Sequence, residues 1–302
     1  MKKTPDYDNV FKTMKMKHKR LFISVINDVL KKNYPTDMNV EVLPSEGYLT
    51  ENETPDGSKE VEEQISDFLI RIGSDVYLLE CQSYDDGSMA IRIAEYAFIV
   101  ARQFATWDIG HATIPMPRFS VIYVRRTDRT PKTTTITFVF PDGQIVDYRS
   151  DNVILEELTK EYIVERRLFP YIPFYIARYE EAIASEGVID QAVDDLIYFR
   201  DELIRLHQEN ELSDGEAIDL MALVNTIVTH ITNENEGRLV NIMGGTVLEL
   251  ESERLIKCGK AQMIIELGQE EGVEDGIIID RLQKRLGLSL EKAKTYLAEY
   301  GK

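Results

Sequence analysis

Asp67, Glu80 and Gln82 stand at residues 65–82, ISDFLIRIGSDVYLLECQ, a stretch that otherwise reads as a pair of core strands. Apolar runs at 68–72 and 76–79 flank Gly73-Ser74, and a glycine first in a two-residue loop suits a type II′ hairpin turn. With that loop Asp67 falls directly opposite Glu80, their β-carbons roughly 4.5–5.5 Å apart. Like charges facing each other among Leu, Ile, Phe and Val destabilise a sheet. A divalent cation offsets that repulsion. Gln82, two residues past Glu80, points to the same face by the period of a strand.

Several elements must position these groups. Residues 8–31 read as one helix, with Phe11, Met14, Phe22, Val25, Ile26 and Val29 at three- and four-residue steps, ended by Tyr34-Pro35. A short strand is predicted at 40–44 and a polar loop at 50–59. Beyond the hairpin, a turn at 84–88 leads through Ser88 as N-cap into a helix to about residue 105, with Ala90, Ala94, Ala97, Ala101 and Phe104 as its apolar stripe. Arg92 and Tyr96 share a face of that helix at i and i+4. Strands follow at 118–125 and 132–140, the second half-buried, and a turn at 141–143 returns the chain through 145–148. Strands, a helix and strands again make a mixed sheet with helices on it, an α/β architecture.

From residue 153 the pattern is helical, broken by Pro170 and Pro173, and its aromatic residues read as core. Amphipathic helices are predicted at 187–210, 213–233 and 234–268. A terminal helical pair joined by Gly287-Leu288-Ser289 carries Leu282, Leu286, Leu290, Ala293 and Leu297 as a packing seam. Such a pair suits self-association, docking of a partner, or folding back on its own domain.

An acid on one strand followed by E-x-Q on the next resembles the PD-(D/E)XK nuclease superfamily. More narrowly it resembles the branch of recombination-promoting nucleases and transposase-like proteins, in which Gln takes the lysine position. Asp8-Asn9-Val10-Phe11-Lys12 is similar to that branch's D-x-x-F-K, Arg92 and Tyr96 to its R-x-x-x-Y, and residues 167–175 to its L-F-P-x-x-P-F-Y segment.

The resemblance implies a restriction-endonuclease-like mixed sheet with flanking helices over residues 1–187, and the helical pattern and charge beyond it predict an acidic all-helical region at 188–302. It implies a Mg²⁺- or Mn²⁺-dependent endodeoxyribonuclease acting on DNA in recombination, mobile-element or defence biology. Asp67, Glu80 and the Cys81 carbonyl are then the expected metal ligands. Gln82, a neutral amide, orients the attacking water or the phosphate. Arg92 and Tyr96 contact substrate, and Asp8 is a weaker candidate acid, otherwise explained as an N-terminal acid favoured by the helix dipole. The alternative is an inactive nuclease fold whose acidic helical half binds a protein partner.

The 302 residues carry a formal net charge of −18. Residues 1–150 hold 19 Lys and Arg against 22 Asp and Glu, and residues 151–302 hold 16 against 31. The overall charge weighs against a general nucleic-acid binder, but the acidity belongs to the second half and leaves the first half near neutral. The first half has two basic clusters, Lys12 to Arg20 and Arg118 to Lys132, which form either a basic groove or ordinary solvated faces. Four scattered histidines lack zinc-ligand spacing, Gly244-Gly245 lacks a following Lys-Ser/Thr, and no G-x-S-x-G occurs. Two cysteines, Cys81 and Cys258, are too few for a disulfide framework, and Cys81 faces the opposite side of its strand from Glu80. With no apolar leader or membrane-length run, the expectation is a cytoplasmic protein without membrane contact, with a homo-oligomer through the C-terminal helices as one possible assembly.

Overall fold

The computed structural model describes residues 7–43, 49–53, 59–63, 68–83, 87–182, 186–232 and 237–301. Asp67 lies outside them, and of Asp8 only the backbone is described.

Where the sequence predicts one helix over 8–31, two form, α1 (Tyr7–Lys17) and α2 (Phe22–Val29), separated by a 3-10 turn at Lys19–Leu21. His18 leaves helical geometry, with φ −131° and ψ 43°. The apolar period does not register this break because Met14 and Phe22, on either side of it, are both fully buried. Next come β1 (Val40–Val42) and a ribbon of β2 (Leu49–Glu53) and β3 (Lys59–Glu63). This ribbon corrects the loop expected at 50–59. Its strands, LTENE and KEVEE, lack the alternation of apolar residues by which a strand is recognised.

The predicted hairpin forms as β4 (Phe68–Ile72) and β5 (Asp75–Gln82), and α3 (Met89–Gln103) follows. A small exposed hairpin of β6 (Thr106–Asp108) and β7 (His111–Thr113) leads to β8 (Arg118–Tyr123). Then come the antiparallel pair β9 (Thr133–Val139) and β10 (Ile145–Asp151), and the two-residue β11 (Val153–Ile154). Short helices α4 (Lys160–Glu165) and α5 (Ile172–Tyr175) precede the long helices α6 (Glu186–Gln208), α7 (Asp214–Ile231) and α8 (Gly237–Glu270). The chain ends in α9 (Asp275–Leu286) and α10 (Leu290–Tyr300), with Gly287 left-handed at φ +66° after α9 and the Ser289 side chain capping α10.

The central sheet is mixed and five-stranded, in the order β1-β4-β5-β8-β11. β1, β4 and β5 pair antiparallel, whereas β8 lies parallel to β5 and β11 parallel to β8. The β9–β10 pair stands apart as its own ribbon and packs over α3, Phe138 lying edge-on to Phe98 at 5.6 Å. The α3 stripe differs from the expected alanine series. Ile93, Tyr96 and Val100 are buried beside Ala97 and Ala101, because larger side chains gain more from leaving water.

Each face of the sheet has its own apolar layer. On one, Phe68, Ile70, Tyr77, Leu79 and Cys81 pack with α1, α2 and the helices from α4 to α8 in one continuous cluster. On the other, Leu69, Leu78, Phe119 and Val121 pack with α3 and the β9–β10 ribbon. Strands give way to helices alone after Ile154, the expected division at 187/188 falls within α6 (Glu186–Gln208), and α6 and α7 still share the first of these layers. Tyr171, Phe174 and Tyr175 are buried there too, in short helical turns around Pro170 and Pro173. The second half of α8 closes with α9 and α10 over a small separate core of Ile265, Ile278, Leu282, Ala293 and Tyr296.

Candidate functional site

The β4–β5 register runs from Phe68↔Leu79 to Ile72↔Asp75, leaving Gly73-Ser74 as the two-residue loop with Gly73 at φ +60°. This is the register on which the expectation for Asp67 and Glu80 rests. Alternation along β5 sends Tyr77, Leu79 and Cys81 to the α1 face and Leu78 and Glu80 to the α3 face. Cys81 is buried with its side chain away from Glu80, as expected.

Glu80 is 0% exposed. A buried carboxylate needs positive charge or hydrogen bonds near it. Arg92, from the second turn of α3, brings a guanidinium nitrogen to 3.5 Å from Glu80 Oε2. Its Nε donates to the Tyr96 hydroxyl at 3.4 Å, and its guanidinium lies 5.9 Å from the centre of the Tyr96 ring. The i, i+4 pair read from the sequence therefore joins Glu80 in one cluster. Gln82 is half-buried at the end of β5, and its carbonyl accepts the Val124 N–H at 2.8 Å, extending the parallel pairing beyond β8.

The same end of the sheet gathers two buried cations that sequence reasoning placed only in surface clusters. Arg125 follows β8, its N–H on the Ser83 carbonyl, and its side chain pairs with Glu180 and, at 3.6 Å, with Glu181. Lys15 of α1 is 5% exposed, with Nζ 5.8 Å from the centre of the Phe68 ring. The sequence signal for both is only that each is a basic residue beside a strongly apolar element; burial follows from which helix covers it.

Much of the expected basic surface is engaged in ion pairs with other parts of the chain. Lys17 and His18 contact Asp219, Arg20 grips Glu216 with two nitrogens, and Arg126 and Lys132 both reach Glu157. Glu216 itself closes a capping box with Ser213 at the start of α7. Burial alone would push its carboxyl up, but Arg20 and the Ser213 hydrogen bonds outweigh this and hold it below the usual glutamate range.

At the opposite end of the sheet, Asp75 accepts from Lys32 Nζ and the Tyr34 hydroxyl, each at 2.7 Å, and from the Tyr77 hydroxyl at 3.1 Å. The hydrogen bonds from Lys32 and Tyr34 pull its carboxyl down to about 2. A cavity of about 530 Å³ opens there, lined by Asp75, Phe104, Pro117, Arg118 and Arg149. It contains none of the expected site residues.

No family model, curated protein or solved structure matches this chain. What the site can do is read from its own side chains. Among the described residues no three or more His, Cys, Asp or Glu side chains are grouped to hold a metal ion. Glu80 with the Cys81 carbonyl offers the oxygen donors that a hard cation takes, and Asp67, one residue before β4 in the sequence, lies outside the described residues. Arg92 is the group at hand for a phosphate, since a guanidinium matches phosphate oxygens in pairs. Among the described residues no helix is long and apolar enough to cross a membrane.

Proposed function

We propose that this protein is a metal-dependent endonuclease that hydrolyses DNA phosphodiester bonds, of the PD-(D/E)XK type with Gln82 at the lysine position. The observation that carries the reading is the β4–β5 hairpin. Its register aligns with the one that pairs Asp67 with Glu80, and it delivers a fully buried Glu80 to the face on which Arg92 and Tyr96 stand. The mixed sheet with α1 packed against one face agrees with the architecture that the sequence resemblance implies.

Asp67, Glu80 and the Cys81 carbonyl would hold Mg²⁺ or Mn²⁺, whose chemistry when bound is to acidify water and neutralise phosphoryl oxygens. Gln82 orients the attacking water through its amide, which both donates and accepts. Arg92 neutralises a substrate phosphate, and Tyr96 holds the guanidinium in place. Asp8 enters no step.

Cleavage of supercoiled plasmid by the purified protein with Mg²⁺, Mn²⁺, Ca²⁺ or EDTA tests this. Cutting should need Mg²⁺ or Mn²⁺ and disappear in Asp67→Asn and Glu80→Gln, with circular dichroism unchanged. Gln82→Ala should lose about 100-fold at saturating metal, the scale of losing a group that positions a reacting water. An inert wild type overturns the reading. The complete burial of Glu80 against Arg92 favours a second one, in which the pair is structural and the acidic helices bind a protein partner. On that reading Glu80→Gln lowers stability and leaves metal-induced thermal shift unchanged.

A further inference from the structure

The second half of α8 has two apolar faces and uses one. Ala261, Ile264 and Ile265 are buried against α9 and α10. On the opposite side Ile256, Met263 and Leu267 are 56%, 55% and 49% exposed. Their spacing of seven and then four residues puts them in one stripe along the helix.

Two further features of this stripe lack a reason within the chain. Gly259 sits beside Ile256 and Met263 in mid-helix, where glycine is among the least favourable residues. A β-carbon added there would meet nothing within 4 Å. Gly268, in the same helix, is different: a β-carbon would strike Ile278 at 2.8 Å, so packing on α9 explains it. The second feature is charge. Lys260 flanks the stripe on its N-terminal side of Met263, while Glu266 and Glu270 flank it on the C-terminal side, all three exposed.

We propose that two copies of this chain pair through α8, antiparallel, about a two-fold axis at Met263. That axis sets Met263 beside Met263. It brings Leu267 of each copy level with Gly259 of the other, where the missing side chain leaves room for it. It also brings Lys260 of each copy level with Glu266 of the other and within reach of Glu270. A parallel pairing would instead stack Lys260 on Lys260 and Glu266 on Glu266, so the charges select the antiparallel arrangement. The interface is isologous, each half of the stripe meeting the other half of its copy.

Sedimentation equilibrium of the full chain at tens of micromolar, where mass action favours association, should give a dimer. Gly259→Leu fills the gap while improving helix propensity, so the variant should keep its helical circular dichroism and melting temperature yet dissociate about 100-fold more readily. Lys260→Glu and Glu266→Lys should each weaken the dimer about 10-fold, and the double variant should restore it. A monomeric wild type, an unchanged dimer in folded Gly259→Leu, or a double variant no tighter than the single ones overturns the proposal. Plasmid cleavage plays no part in these readouts, so they stand apart from the nuclease reading.

Discussion

In the strand-bearing half, charge is drawn inward. Glu80 and Arg125 are buried, Lys15 is buried over Phe68, and Asp75 is held by a lysine and two tyrosines. In the helical half most of the acid lies on the outside of long helices, and the acids that face the other half are the ones its cations take up: Glu157, Glu180, Glu216 and Asp219. A net charge of −18 thus hides a directed pattern in which basic residues of the first half dock on acids of the second. The lesson concerns the basic clusters. Runs that resemble a nucleic-acid groove in sequence serve in part as attachment points between two regions of one core.

The comparison is broken most severely by Phe174→Ala. Phe174 is 1% exposed and lies 6.2 Å from the rings of both Tyr7 and Phe11. The loss should be about 3–5 kcal/mol, the usual cost of emptying an aromatic site in a core. Chemical denaturation should show both regions melting in one transition, and two transitions would mean that the shared layer is not a unit. Glu216→Ala removes both the α7 capping box and the Arg20 partner and should cost about 2 kcal/mol by the same assay.

Acid should loosen the same contact. The Glu216 carboxyl is depressed in the folded state, so its stabilisation is complete above the pH at which an unfolded glutamate ionises. It is lost as pH falls through the lower folded value. The melting temperature of the wild type should therefore fall faster between pH 5 and pH 3 than that of Glu216→Ala, a window set by the ordinary glutamate range and its downward shift (about one unit either side of 4).

Gly73→Ala is a smaller perturbation. It forces a β-carbon into left-handed geometry at φ +60° and should cost about 1–2 kcal/mol. Arg126→Ala should change stability by no more than about 0.5 kcal/mol, because the Arg126–Glu157 contact at 3.3 Å is exposed to solvent. A larger loss would move that pair from the rim of the attachment to its centre.

The hairpin is legible in the sequence because two local signals agree: a glycine-led two-residue turn and apolar runs of strand length on both sides. The α3 pair Arg92 and Tyr96 is legible from helical spacing alone. Burial of Glu80 is not, since it depends on how α3 lies over the sheet. The β2–β3 ribbon and the two-residue β11 escape because neither carries the alternation that sequence reading detects. The partners of Lys17, His18 and Arg20 escape for a different reason. Each lies about 200 residues away, and nothing local to either partner announces the other.

That separation has a consequence during synthesis. At the usual pace of about 5–20 residues per second, α1 leaves the ribosome roughly 10–40 s before Asp219 and the rest of α7 exist to receive it. Until then Phe11, Met14 and Phe22, fully buried in the finished protein, lack the later helices that complete their cover. The β4–β5 hairpin needs no such wait, as its strands are two residues apart. Nascent chains stopped before residue 214 should accordingly bind hydrophobic-surface chaperones through their first thirty residues, and release them once α7 is out.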